Sequence, residues 1–266
     1  MDPSRLDLWY VDAQKATDTG MLDVYRQWLP AEETARADRF RVEKDRTLAL
    51  VSRALTRTAL SHYCDVDPHA WRFRPNRHGK PSIAEPTEEQ VGLPLRFNVS
   101  HTKGMAVCAV VAIPGLGTDD VGVDVEDLRR RRVRRELARR FFAPAEVDAL
   151  EHLSDEQWPE AFLEFWTLKE TYIKARGMGL AIPLDQFAFS RSADRPPAID
   201  FAEGHGQLSE DWQFAQIRLA DHFQIATALR YPASKRLTVS LRETLPLQDE
   251  REERVLPPNA SNRWVL

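Results

Sequence analysis

The stretch from Val121 to Lys174 constrains the chain most, because two short patterns of different period stand close together in it. Val121-Gly122-Val123-Asp124-Val125-Glu126 alternates. A period of two belongs to a strand, so Val121, Val123 and Val125 share one face and Gly122, Asp124 and Glu126 the other. Two carboxylates therefore project from one side. The segment Trp166-Thr167-Leu168-Lys169-Glu170-Thr171-Tyr172-Ile173-Lys174 reads as part of a helix over 161–176, which the glycine at 177 ends. Trp166, Lys169, Glu170 and Lys174 are spaced i, i+3, i+4 and i+8, roughly along one helix face.

Brought together, this strand and this helix converge three carboxylates, Asp124, Glu126 and Glu170, flanked by two ammonium groups. Three hard oxygen ligands suit Mg2+, which keeps waters and also takes oxygens from a substrate phosphate. Lysines beside such a metal suit an anionic leaving group. A plainer reading of each piece also stands. The alternating acids are then the solvent face of a half-buried strand, and Glu170–Lys174 an ordinary surface pair. Trp166 reads as core packing. Taken in order, Gly-Val-Asp-Val-Glu and, roughly forty residues later, Trp-x-x-Lys-Glu-x-x-x-Lys resemble the two signatures of the 4'-phosphopantetheinyl transferases. The match is closest to the larger two-domain (surfactin-synthetase-activating) type, which activates peptide and polyketide synthetase carrier proteins.

Composition agrees with an enzyme of this kind. The 266 residues allow one large domain or two modest ones. A formal net charge of −4 provides no global basic field for nucleic acid. No apolar run is long enough to span a membrane, and Met1-Asp2-Pro3-Ser4-Arg5 lacks the apolar core of a signal peptide, so a cytoplasmic protein is expected. Cys64 and Cys108 make no disulfide framework, and neither has a histidine at zinc-ligand spacing.

In the first half, Leu6–Val11 reads as a strand, Asp18–Trp28 as a helix, and Ala31–Tyr63 as helical with a break near Phe40–Asp45. Leu48, Val51, Leu55 and Leu60 form its apolar stripe. Arg53 and Arg57 are i,i+4 neighbours, which fits either a phosphate clamp or a solvated basic face. The resemblance implies that basic residues here, Arg53 above all, hold the 3'-phosphate of coenzyme A. Gly79-Lys80-Pro81 is a turn by its residue types. The resemblance assigns Gly79, Lys80 and Pro81 to the coenzyme A nucleotide. Asn98-Val99-Ser100-His101 closes another strand and matches a third family signature, which implies that Ser100 and His101 contact the pyrophosphate. Met105–Ile113 is almost wholly apolar, hence a deeply buried strand.

Pro114–Thr118 is a turn-rich break. It divides the chain into 1–118, 119–245 and a charged, flexible tail, 246–266. Strands are expected at Leu184–Phe189, Trp212–Leu219, Phe223–Arg230 and Leu237–Leu241. Phe223–Leu229 weakly repeats Met105–Val111. The resemblance implies an α+β fold of two similar α/β subdomains, related by a pseudo-twofold axis, with the active site at their interface. The arginine-dense run Arg129–Arg140 has three readings: a solvated helix face, a nucleic-acid patch, or a rim that steers acidic carrier proteins.

The activity the resemblance implies is that of a holo-[acyl-carrier-protein] synthase type 4'-phosphopantetheinyl transferase. It moves 4'-phosphopantetheine from coenzyme A to a serine of an apo acyl or peptidyl carrier protein and releases 3',5'-ADP. Asp124, Glu126 and Glu170 are expected to hold Mg2+, Glu170 to accept the serine proton, Lys174 to neutralise the leaving phosphate, and Lys169 to assist. A monomer is expected, with no nucleic acid or membrane as partner. A nucleotide pyrophosphohydrolase or nuclease using the same carboxylates, with water as acceptor, is the alternative. A non-enzymatic nucleic-acid binder is the second, and its affinity would fall steeply with salt.

Overall fold

The apolar strands build two larger sheets, each packed against one 19-residue helix, beside two small two-stranded sheets. The computed structural model describes residues 5–117, 120–129, 133–192, 195–235, 237–248, 252–256 and 263–266. The chain opens with β1 (Arg5–Asp12), α1 (Ala13–Asp18), α2 (Met21–Trp28), α3 (Ala31–Ala37) and α4 (Glu43–Ser61). There follow β2 (Arg72–Pro75), β3 (Pro81–Glu85), α5 (Glu88–Val91), β4 (Arg96–Thr102) and β5 (Met105–Val111). Next come β6 (Val121–Asp127), α6 (Arg135–Phe141), α7 (Pro144–Glu151), α8 (Trp158–Arg176), β7 (Phe187–Ser190), β8 (Ala198–Phe201), β9 (Trp212–Leu219) and β10 (Phe223–Arg230). The chain ends with β11 (Thr238–Glu243), β12 (Glu252–Val255) and β13 (Arg263–Val265). Among the described residues no helix is long and apolar enough to cross a membrane.

The contacts divide the chain into two units, Met1–Thr118 with Leu237–Leu256, and Asp119–Arg236 with Pro257–Leu266. The first unit holds a sheet in the order β12-β11-β1-β5-β4. Every residue of β5 is buried, as its continuous apolar run requires. On it lies α4, whose Leu48, Val51, Leu55 and Leu60 join Trp9, Cys108 and Val110 in one core. The ring of Trp9 is also anchored: Nε1 donates to Tyr63 Oη at 2.8 Å, and that hydroxyl donates to Asp7 Oδ2 at 2.7 Å.

The second unit holds a sheet in the order β13-β9-β10-β6, with α8 packed on β6 and β10. Gly177, at φ +61°, ends α8 in the left-handed conformation. The strand expected over Leu184–Phe189 is shorter. Leu184–Gln186 form a 3-10 turn before β7.

The closing segments depart from the expected division. β11 lies parallel to β1, with Leu6 opposite Val239 and Leu8 opposite Leu241, so it belongs to the first unit. A parallel neighbour needs a long connection, and here residues 13–237 form it. The stretch expected as a flexible tail contains two strands. β12 runs antiparallel to β11 and β13 parallel to β9, each at the edge of a sheet whose open hydrogen-bonding row it fills. Leu256 and Trp264 are buried there. Periodicity does not reveal such strands, because among the described residues each has a single buried anchor and an exposed neighbour, Val255 or Val265. Residues 249–251 and 257–262 of that stretch, and Thr118 of the turn-rich break, lie outside the described residues.

One contact sets the seating of α8. A Cβ built on Gly122 would lie 2.1 Å from the Thr171 carbonyl oxygen and 2.7 Å from the Ala175 backbone nitrogen. Both are helix backbone and have nowhere to yield. Gly122→Ala therefore forces α8 off β6, and an overpacking cost of about 1–3 kcal/mol is expected. Chemical denaturation measures it; an unchanged midpoint would show that the helix shifts freely.

Candidate active site

Asp124 lies on the β6 face that Gly122 opens to α8, and it is 4 % exposed. The reading of this face as a wetted strand surface therefore does not hold. Across the ladder Asp124 stands opposite Ala226, whose carbonyl accepts the Thr171 hydroxyl of α8 at 3.1 Å. Helix and sheet are thus joined at the level of the carboxylate. From α8, Lys174 Nζ donates to Asp124 Oδ1 at 2.5 Å. Glu170 sits one helical turn before Lys174 and is half-buried, as is Glu126 on β6. Burial pushes the Glu170 carboxyl up to about 7; the negative charge of Asp124 and then that of Glu126 add to the rise, and Lys174 opposes it. Asp124, Glu126 and Lys174 thus all act on the charge of Glu170.

Lys169 does not join them. Successive helix positions differ by about 100°, so its side chain leaves α8 towards α7 and β7. It is fully buried, 2.7 Å from Glu146 Oε2, and it donates to the carbonyls of Leu184 at 2.6 Å and Phe187 at 2.7 Å. Glu146 also accepts from the backbone N–H of Ala143 at 3.0 Å and of Phe189 at 2.8 Å. Burial pushes the Glu146 carboxyl up and the Lys169 ammonium down, and the contact between them opposes both shifts. The expected helper of the leaving group is instead a latch among α7, α8 and β7. Trp166 stacks on Phe142 and Phe162, in keeping with a packing role.

The carboxylates fit a hard divalent cation in kind. All three offer oxygen, and their mutual repulsion is what such a charge relieves. In the present arrangement, among the described residues, no three His, Cys, Asp or Glu side chains stand as a ready coordination set. The ammonium of Lys174 is held at Asp124.

Apart from Lys174, the residues expected to contact coenzyme A lie in the first unit. Arg53 is half-buried on α4; burial lowers its pKa, Glu33 raises it, and the charges of Arg36 and Arg57 lower it further. Arg57 is buried and spent internally: Nε pairs with Glu33 Oε2 at 3.0 Å, and Nη1 donates to the Trp71 carbonyl at 2.8 Å. It is therefore a core residue, and the phosphate-clamp reading of the Arg53–Arg57 pair falls to Arg53 alone. Gly79 takes φ +92° in the turn before Pro81 opens β3, and Asn76 Oδ1 accepts the N–H of His78 at 2.9 Å and of Lys80 at 3.0 Å. On β4, Ser100 is buried and His101 exposed, on opposite faces.

The arginine run is partly neutralised within the second unit. Arg129 grips Asp127 with two parallel bonds, Nε to Oδ1 at 2.8 Å and Nη2 to Oδ2 at 2.7 Å, which hold the Asp127 carboxyl below its ordinary value. Arg135 pairs with Asp155 at 2.5 Å and Arg139 with Glu151 at 3.0 Å. Arg130, Arg131 and Arg132 lie outside the described residues.

The sequence reading passed over Glu146. Its signal was local, a glutamate three residues after Ala143 at a helix start, and nothing in the sequence marks Lys169 as its partner.

Comparison with known proteins adds the following. A sequence model of the 4'-phosphopantetheinyl transferase superfamily matches residues 120–228, and one of the N-terminal part of 4'-phosphopantetheinyl transferase matches residues 17–112. The chain is 34% identical over 174 residues to 4'-phosphopantetheinyl transferase HetI of Nostoc sp., covering 65% of this chain and 70% of that one. It is 32% identical over 176 residues to a 4'-phosphopantetheinyl transferase of Bacillus subtilis, covering 66% and 72%. The solved holo-[acyl-carrier-protein] synthase of Thermotoga maritima is similar at 19% identity and a TM-score of 0.36, over 55% of this chain and 98% of that one, too slight a likeness to carry argument.

The latch yields one expected outcome. Lys169→Met leaves Glu146 charged and buried without its partner, at a cost of about 3–5 kcal/mol of stability, and adding Glu146→Gln recovers part of it. Denaturant titration of both variants checks this. Full stability with lost turnover would return Lys169 to the chemistry.

Glu170 yields a second. Its carboxyl sits above the usual glutamate value of 4.5, so the metal-free folded state binds more protons than the unfolded one between about 4.5 and about 7. The contribution of Glu170 is therefore present at low pH and lost as pH rises through that window. Unfolding free energies of metal-free protein at several pH values should show this decline, and Glu170→Gln should flatten it. Parallel pH profiles for the two proteins would refute the assignment.

Proposed function

The chain belongs to the 4'-phosphopantetheinyl transferases, of the larger two-domain type, and on that premise we propose that it transfers 4'-phosphopantetheine from coenzyme A to a serine hydroxyl of an apo acyl or peptidyl carrier protein. The observation that carries the reading is the field shared by Asp124, Glu126, Glu170 and Lys174 on the α8 face of β6.

The serine oxygen attacks the β-phosphorus of the pyrophosphate, the bond to the bridging oxygen breaks, and 3',5'-ADP departs with that oxygen. Such a reaction asks the protein chiefly for position and charge. Asp124, Glu126 and Glu170 are the residues that would hold Mg2+, which when bound supplies positive charge to the pyrophosphate oxygens. Glu170 takes the serine proton. An ordinary glutamate is a poor base at neutral pH, and burial, the largest cause of its raised value, makes Glu170 a stronger one. Lys174 offsets charge on the departing phosphate. Lys169 has no part in the chemistry, because its ammonium is spent on Glu146.

Arg53, Gly79, Lys80 and Pro81 serve the coenzyme A nucleotide, and Ser100 and His101 the pyrophosphate. The exposure of His101 supports its role. The arginines following β6 attract an acidic carrier, an effect on the rate of encounter that salt weakens.

Incubation with coenzyme A, Mg2+ and a purified apo carrier protein tests the proposal by intact-protein mass spectrometry. The carrier should gain about 340 Da, the mass of the transferred group, and Asp124→Ala should abolish the gain. Coenzyme A consumed without any gain would overturn the reading in favour of a hydrolase.

A further inference from the structure

Carboxylates gathered in one largely buried corner require positive charge whether or not a metal ion is present. In this structure Lys174 supplies it, 2.5 Å from Asp124 Oδ1. The two side chains differ in freedom. That of Asp124 is 6% exposed and rides on a strand, whereas that of Lys174 is 30% exposed and ends a flexible four-carbon stem. The geometry points to Lys174 as an internal placeholder that competes with a divalent cation for Asp124, so that occupation of the carboxylates by metal frees the ammonium to meet a substrate phosphate. This rests on the transferase reading above for the identity of the metal ligands.

The neighbouring cations do not share the task. Lys169 is committed to Glu146 and Arg129 to Asp127. The backbone of Lys174 has no need to move, because Gly122 and the Thr171–Ala226 hydrogen bond fix α8 on the sheet. Only the side chain changes place. A divalent ion brings two positive charges to the carboxylates where the ammonium brings one, so the exchange runs towards the metal. Its cost is the broken ion pair, which holds metal affinity down while no phosphate is present. A phosphate that draws Lys174 away removes that cost. By linkage, metal and phosphate then favour each other's binding to the same extent. Lys174 therefore has two successive partners, first a carboxylate and then a phosphate.

The test uses the full chain without coenzyme A. Protein labelled with 15N-lysine is titrated with Mg2+, and the ammonium resonance of Lys174, identified by its loss in Lys174→Arg, is followed. Mn2+ affinity is measured by electron paramagnetic resonance for the wild type, Lys174→Met and Asp124→Ala. The expected result is that the Lys174 resonance moves and exchanges faster with water as Mg2+ saturates. Lys174→Met, which keeps the stem and removes the charge, should bind Mn2+ about tenfold more tightly. A Lys174 resonance that stays fixed while Mg2+ binds would overturn the proposal, even if Lys174→Met gained affinity, because a field effect alone would explain that gain. Equal or weaker Mn2+ binding by Lys174→Met would overturn it too. If neither the wild type nor Lys174→Met bound more Mn2+ than Asp124→Ala, the metal assignment would fall together with the competition. The resonance is read on the wild type, so the proposal remains falsifiable if a variant fails to fold.

Discussion

Helix α8 can rest on strand β6 only because residue 122 has no side chain. The Thr171 carbonyl and the Ala175 nitrogen occupy the space that a Cβ would need. Everything in the candidate site follows from that approach. It brings Lys174 within hydrogen-bonding distance of Asp124 and sets Glu170 in the field of both strand carboxylates. It also removes the strand face from water, which is why Glu170 titrates far above an exposed glutamate. A glycine that looks like a small residue in a strand is thus the condition for the cluster of charges beside it.

The same helix sorts its lysines by rotation. Lys169 and Glu170 are adjacent in sequence and diverge in space. One becomes the centre of a buried latch with Glu146 and the backbone of β7, and the other faces the sheet carboxylates. The latch is fully hydrogen-bonded, the circumstance in which a buried ion pair is tolerated at all. It orients the helix about its axis, and the close approach at Gly122 sets its depth. Two separate constraints therefore place Glu170 and Lys174.

In the first unit, Arg53 and Arg57 show the same divergence. They look equivalent as an i,i+4 pair, yet Arg57 is consumed by Glu33 and by carbonyls of the following loop. Arg53 is left at the half-buried edge of α4. For a residue type as versatile as arginine, spacing on a helix establishes neighbourhood and leaves burial undecided.

The sequence by itself determined the alternation of β6, the helical run of α8, the apolar strand β5, and the order of Gly-Val-Asp-Val-Glu and Trp-x-x-Lys-Glu-x-x-x-Lys that identifies the family. These are local patterns, set by the periods of strand and helix and by residue chemistry. Only the tertiary structure decided that Lys169 is a latch, that Arg57 is core, that β11 returns to pair with β1, and that β12 and β13 give edges to two sheets. Apart from β12, which pairs with the preceding β11, each of these depends on a partner distant in the chain. Glu146 is 23 positions from Lys169, and Leu241 is 233 positions from Leu8. Periodicity reports which face of an element is apolar; what that face meets depends on how the elements pack.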